Sequence, residues 1–319
     1  MIKGYSRDGF SRLMLGTHLG DFTDEVSESY RDAIAFALQN GISSIDGAIN
    51  YRGMRSEKDE GTAVQELISS GKLRREDFCI TSKAGLLFGD ITERTNPRMY
   101  LEKHLKPCGI TEDDFCEYDG LFQTLNPVFF EIALEKSLQN LGLETIDVHY
   151  IHIPEITRAG TDLATFYDRM ENLFRWYESK VAEGRIRYYG LALEFMGTEP
   201  EKEKWHFELE ELKKRALKAG NGGSHLKYVI YEYNKLCPYP VTVASQRVGG
   251  EPVTLAEACR RLNFETVASM PFAMGNALKQ YSVRELLEFA LGGADHVIVG
   301  SKSKEHIREL LAYVNEKQI

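Results

Sequence analysis

Cysteine is scarce: Cys79, Cys108, Cys116, Cys237 and Cys259 are the five in 319 residues. Their number is odd, their spacing irregular, and no pair has the CxxC form, which argues against a disulfide framework and against a zinc site. Long apolar runs are missing too. No stretch reaches membrane-spanning length, and Met1-Ile2-Lys3-Gly4 lacks the apolar region of a signal peptide. Basic surplus is absent: 39 Lys and Arg face 48 Asp and Glu, for a net charge of -9 spread along the chain. Nucleic acid and anionic membranes demand a basic surface, so neither is an expected partner. No low-complexity tract or linker divides the sequence. The expectation is a reduced, cytoplasmic protein with no metal, folded as one domain over residues 1–319.

What is present is a rhythm. With 43% hydrophobic and 27% charged residues the chain can build a sizeable core and stay soluble. Short apolar runs alternate with longer helical patterns eight times. Strands are predicted at Arg12 to Gly16, Ser43 to Asp46, Phe78 to Lys83, Ile146 to His152, Ile186 to Ala192, Lys227 to Tyr231, Glu265 to Ser269 and His296 to Val299. Helices are predicted at Ser27 to Gln39, Pro127 to Asn140, Thr161 to Glu183, Thr254 to Leu262, Ser282 to Ala290 and Ser303 to Val314. Gly41 and Gly142 suit helix C-termini. Thr254 followed by Glu257 has the capping-box pattern, and Ser303 is a plain N-cap.

Strand and helix alternating to the end imply parallel pairing with right-handed crossovers, and eight units in this length match a closed (β/α)8 TIM barrel of the α/β class. The competing open sheet would carry a GxGxxG turn after its first strand; here that turn reads GTHLGDF. Two long loops interrupt the rhythm after strands 3 and 6, Ala84 to Leu125 and Asn234 to Pro252. Both are expected on the active-site face as lids or binding loops. The charged run Glu199 to Arg215 reads as a solvated helix face.

Consider what ends the early strands. Asp46 closes the second, with Tyr51 just beyond it; Lys83 closes the third and His152 the fourth. In a barrel these ends share one rim, so an acid, a phenol, an ammonium and an imidazole converge at its mouth. A lysine ending an apolar strand must be paired or reach water, because burying it alone costs several kcal/mol. Acid-base work at a carbonyl fits this set. An ammonium beside a phenol lowers its pKa of about 10 toward the useful range, a carboxylate aims the ammonium, and an imidazole orients the substrate oxygen. His149, three residues before His152, falls on the other face of the strand. His18, at the rim, is a candidate for the pocket wall.

The wording of these segments is similar to a known family. IDGAINY with SEKDEGTAVQEL resembles the DTAxxYG…sExxxG segment of aldo-keto reductases. TSKAG resembles their strand-three lysine, and LEKSLQNLGLETIDVHYIHIPE their helix and strand carrying the histidine. EGRIRYYGLA looks like GKIRxxGvS, and HVIVGSKSKEHIREL like the cofactor segment near the C-terminus. The resemblance runs from Leu15 to Leu311. It implies Tyr51 as general acid, Lys83 and Asp46 as its tuning pair, and His152 orienting a small carbonyl or hydroxy substrate. It places Gly16 and Thr17 beside the cofactor ribose. It also places Gly300, Ser301, Lys302, His306 and Glu309 along an adenosine 2′-phosphate grip, so NADPH is the implied cofactor.

Departures from the family pattern mark a divergent branch. Its Ser-Asn pair after strand five reads Ala192-Leu193, its strand-six Gln falls on Ile230, its stacking aromatic on Ser269, and the Asn following Glu309 is Leu310. Three of these positions contact the nicotinamide carboxamide or ring, and each neutral hydrogen bond lost there is worth about 1 kcal/mol. Glu194, Tyr231 and Phe272 are the candidate replacements. Two readings stay open: an NAD(P)H-dependent oxidoreductase, or a cofactor-independent lyase, dehydratase or isomerase using the same cluster for proton transfer. A catalytically silent binding subunit is a third.

Overall fold

In the computed structural model, which describes residues 9–317, eight parallel strands close into a barrel. They are β1 (Leu13–Gly16), β2 (Ser44–Asp46), β3 (Cys79–Ala84), β4 (Ile146–His152), β5 (Ile186–Ala192), β6 (Leu226–Glu232), β7 (Glu265–Ser269) and β8 (His296–Gly300). Each pairs with its neighbours in sequence, and β8 closes on β1. The expected strands are all present, with ends shifted by a residue at most. Eight helices cover the outside: α1 (Asp24–Gln39), α2 (Arg55–Ser69), α3 (Pro127–Leu141), α4 (Leu163–Ala182), α5 (Leu209–Ala219), α6 (Leu255–Arg261), α7 (Val283–Gly293) and α8 (Lys304–Lys317).

Side chains alternate across each strand, so one set fills the barrel and the other packs under the helices. Met14, Val148, Tyr150, Tyr228, Ile230, Val267 and Ile298 fill the interior, with Phe10 among them. Gly190 of β5 makes room for this filling: a Cβ there would lie 2.5 Å from the Tyr228 carbonyl oxygen and 2.6 Å from the Tyr150 ring. His149 faces outward, as its spacing implied, and its Nδ1 is 2.8 Å from the Tyr177 hydroxyl on α4.

Helix boundaries correct the sequence reading in four places. The first helix starts at Asp24, capped by Thr23, whose side chain accepts from the Val26 N–H; Ser27 is buried and accepts from Arg52 at 2.9 Å. Helix α2 was missed because its first turns bury polar residues, Ser56, Glu57, Asp59 and Glu60, and only Ala63, Val64 and Leu67 give it a short apolar face. The segment Thr161 to Glu183 is one helix only from Leu163, where Asp162 caps it, and Glu155–Gly160 forms a separate turn before it. Of the charged run Glu199 to Arg215, only the part from Leu209 is a long helix. The capping box at Thr254 is half made: Thr254 accepts from the Glu257 N–H at 3.2 Å, but Arg260 and Arg261 hold the Glu257 carboxylate.

The two long loops are built structures. The first carries a helical stretch from Pro97 and an antiparallel hairpin, Cys116–Tyr118 with Leu121–Gln123. Tyr118 sets this hairpin edge-on to Trp205, with ring centroids 4.6 Å apart. The second carries the hairpin Gln246–Val248 with Glu251–Val253, tied to α5 by Gln246, which accepts from the Leu209 N–H at 2.9 Å. Neither contributes a residue to the central cavity. Hairpin pairing orders both insertions, with aromatic packing on Trp205 in the first and the Gln246 bond in the second.

Candidate active site

Register brings the predicted residues together. Asp46 pairs with Gly16 on one side and Thr81 on the other; Lys83 pairs with Tyr150, and His152 with Ala192. Thr81 and Lys83 are two apart and share the inner face, whereas Ser82 between them points out and donates to Glu57 of α2 at 2.6 Å. The Lys83 ammonium donates to both Asp46 oxygens at 2.7 Å and to the Gly47 carbonyl at 2.8 Å. Thr81 donates to the same carboxylate at 2.9 Å. Asp46 and Lys83 are buried, so this is a closed ion pair with its remaining lone pairs served.

Tyr51 lies over that pair. The Lys83 Nζ is 4.8 Å from its ring centroid, close enough for the ammonium and the phenol to feel each other's charge. His18 and His152 flank the ring, at 4.5 and 5.8 Å between centroids. Burial raises the Tyr51 phenol above its ordinary value; Lys83 pulls it down, but by less. The expected net lowering is therefore corrected: in this site Tyr51 is a neutral phenol at pH 7. Burial is the largest single effect on Lys83 and lowers it, but Asp46 and Tyr51 together raise it by more, so the ammonium is held above its ordinary value. Burial first, then the Lys83 charge, holds His152 well below the usual imidazole range, and His18 shifts the same way. Both imidazoles are neutral hydrogen-bonding groups.

These side chains open into a cavity of about 340 Å³, at the small end of ligand sites. Its wall includes Gly16, His18, Leu19, Ile153, Ala192, Leu193 and Glu194, and continues through Ile230, Ser269, Met270, Phe272, Met274, Leu278 and Gly300. Ile153 and Met270 each follow a strand end with positive φ, at 47° and 51°. Such a conformation is uncommon for any L residue and an outlier for a β-branched one. The rim turns made by Met270, Met274, Leu278 and Leu19 were missed in the sequence, where nothing separates a rim-lining Met or Leu from a core one.

Of the cofactor-segment candidates, Gly16, Phe272 and Gly300 line the cavity. Thr17 does not: it is buried, and its hydroxyl lies 2.8 Å from Glu60 and 3.0 Å from the Asp46 carbonyl, so it has no hydroxyl to offer a ribose. Tyr231 is excluded as a nicotinamide contact because it points out of the barrel, where its hydroxyl donates to the Gly293 carbonyl at 3.0 Å. Lys302, His306 and Glu309 are exposed at the start of α8, and Ser301 is half-exposed, its Oγ accepting from the Ser303 N–H at 3.1 Å. The Lys302 ammonium bends back over the turn after β1: a Cβ on Gly20 would lie 3.2 Å from it. Leu310 is buried.

The profile of the aldo/keto reductase family matches residues 12–202. The chain belongs to this family. Aldose reductase B of Dictyostelium discoideum is 34% identical over 119 residues, 37% of this chain and 33% of that protein. The aldo-keto reductase family 1 member C23-like protein of Equus caballus is 29% identical over 127 residues, 40% of this chain and 27% of that protein. The match thus spans a third or less of these curated relatives. Solved family structures follow the whole barrel. A Bacillus halodurans aldo-keto reductase in its holo form has a TM-score of 0.62 at 18% identity, covering 96% of this chain and 87% of its own. A Klebsiella pneumoniae aldo-keto reductase in complex with NADPH has a TM-score of 0.60 at 17% identity, covering 99% and 90%.

Proposed function

We propose that this chain is an NADPH-dependent oxidoreductase that interconverts a small aldehyde or ketone with its alcohol. The observation that carries the reading is Lys83, bonded to both oxygens of Asp46 and 4.8 Å from the Tyr51 ring centroid, with all three lining one cavity. Family membership and the NADPH complex of the Klebsiella relative support it.

The residues present fit the cofactor. At the adenosine end Lys302 is an exposed cation with no ion-pair partner among the described residues, and Gly300 leaves open space where a Cβ would stand. At the other end Ala192, Leu193 and Ile230 offer an apolar wall, with Phe272 and Ser269 beside it. Lys302, Ser301 and His306 would hold the 2′-phosphate, and Phe272 would face the ring. When bound there, NADPH supplies a hydride to the carbonyl carbon.

The protein's own part is proton transfer and orientation. His152, neutral, donates a hydrogen bond to the substrate oxygen and fixes which face is presented. Tyr51, a neutral phenol at pH 7, gives its proton to that oxygen, and Lys83 stabilises the phenolate left behind. In the oxidative direction the phenolate takes the alcohol proton.

NADPH titration with fluorescence detection, followed by aldehyde-dependent NADPH consumption, tests the reading; no binding up to millimolar cofactor would defeat it. The apolar Ala192, Leu193 and Ile230 wall favours one second reading, a cofactor-independent lyase, dehydratase or isomerase using Tyr51 and Lys83 for proton transfer. Turnover by dialysed, cofactor-free protein would favour that alternative.

A further inference from the structure

The cavity contains one carboxyl group that nothing neutralises. Glu194 follows β5 and lines the wall together with Tyr51 and His152. Among the described residues none donates a hydrogen bond or an ion pair to its carboxylate. The groups around it are other acids and neutral side chains. Glu232, at the end of β6, raises it; Glu155, on the turn before α4, accepts from its backbone N–H at 2.8 Å; the Cys237 thiol and the Tyr51 phenol also feel its charge. Glu232 is itself held in place by Asn234, which donates to it at 2.9 Å.

Protein cations cannot serve Glu194 from inside the cavity. Lys83 is committed to Asp46 on two oxygens. His18 and His152 are kept neutral by burial. The cavity therefore carries a carboxyl group with no cation beside it, set in a wall of Leu19, Ile153, Leu193, Met270 and Phe272.

We propose that the substrate is a carbonyl compound carrying an ammonium group, with its carbonyl at Tyr51 and His152, its apolar spacer along the Leu19 and Met270 wall, and its ammonium on Glu194. The inference rests on the oxidoreductase reading and specifies its substrate class. The reaction is unchanged: the carbonyl carbon takes a hydride from NADPH, the oxygen takes a proton from Tyr51, and the ammonium keeps all its protons. An ammonium is the matching charge because a desolvated carboxylate gains most from a charge-assisted partner. Burial and Glu232 raise Glu194 to about 7, so its grip on a cation strengthens as pH rises through that value.

Three aldehydes of one shape test the idea: 4-(aminomethyl)benzaldehyde, 4-methylbenzaldehyde and 4-carboxybenzaldehyde, each with NADPH. In the wild type at pH 8 the ammonium compound should exceed the methyl compound in kcat/KM by roughly tenfold or more, with the carboxylate last. The ratio should shrink at pH 6 and fall toward one in Glu194→Gln. In parallel, benzylammonium binding to the cofactor-free protein is measured by calorimetry, and it should weaken by roughly tenfold in Glu194→Gln. A ratio near one in the wild type, a ratio retained in Glu194→Gln, or benzylammonium binding that is absent or unaffected by the substitution overturns the proposal. Failure of all three aldehydes to consume NADPH, with Glu194-dependent benzylammonium binding intact, instead defeats the oxidoreductase reading and leaves the ammonium site standing.

Discussion

Glu60 occupies the space that a side chain on Gly47 would need: a Cβ there would fall 2.4 Å from its Oε1. The carboxyl thus packs on the backbone whose carbonyl holds Lys83. Burial, with the nearby Glu57 and Asp46 charges, raises Glu60 to about 8 despite its bonds from Thr17 and Ser56. A carboxyl with a folded-state pKa above its ordinary 4.5 contributes stability that is complete below that value and lost as pH climbs through about 8. Glu60→Gln removes the titration. Urea unfolding at pH 6 and pH 9 should show wild-type stability falling by a few kcal/mol more than the variant's over that interval, because each tenfold gain in proton affinity on folding is worth on the order of 1.4 kcal/mol. Parallel losses in the two proteins would refute it.

The Asp46 and Lys83 pair invites a sharper stability test. Asp46→Asn leaves a buried ammonium without its counter-charge, and breaking one side of such a pair costs about 3–5 kcal/mol. Chemical denaturation should register that loss, and adding Lys83→Met to the same protein should recover part of it, since an apolar pair leaves no stranded charge. An Asp46→Asn variant as stable as the wild type would mean the ammonium finds another anion.

Tyr51→Phe separates chemistry from packing. The ring keeps its contacts with His18 and His152, so the midpoint of thermal unfolding should stay close to that of the wild type. Only the hydroxyl is lost, and if Tyr51 is the proton donor as proposed, kcat for aldehyde reduction should fall by about 10²–10⁴. Steady-state kinetics with NADPH and any reducible aldehyde decide it. Retained kcat would remove Tyr51 from the reaction.

The barrel was legible because its signals are local and repeated: apolar runs such as Ile146 to His152, and stop signals such as Gly142, need no knowledge of distant residues. Asp46, Lys83 and His152 were legible because strand ends in a barrel share a rim. Helix α2 was not, since half of its buried face is Ser56, Glu57, Asp59 and Glu60, satisfied by partners far off in sequence such as Thr17 and Ser82. Thr17 and Tyr231 were misread for a related reason. A position in a motif says which strand end carries a residue, but the direction of its side chain is set by partners such as Glu60 and the Gly293 carbonyl. The direction in which the Tyr51 phenol moves was missed because burial is a property of the assembled pocket, and desolvation there outweighs Lys83.

Cofactor choice comes down to which cation at the start of α8 is uncommitted. Lys304 is held by Asp32 at 2.6 Å, and Arg308 lies 3.4 Å from Glu305 and covers the Phe36 ring at 4.8 Å. Lys302 is exposed and has no ion-pair partner among the described residues. A 2′-phosphate arriving at this segment would therefore meet Lys302 first, with His306 one turn into the helix. Lys302→Ala should weaken NADPH by roughly tenfold, the worth of one charge-assisted hydrogen bond, and leave NADH, which lacks the phosphate, where it was. Because the proposed contact is exposed, NADPH affinity should fall more steeply than NADH affinity as salt is raised. Fluorescence titrations of both nucleotides against both proteins measure this. Equal losses for NADPH and NADH would show that Lys302 supports the fold of the segment and reads no phosphate.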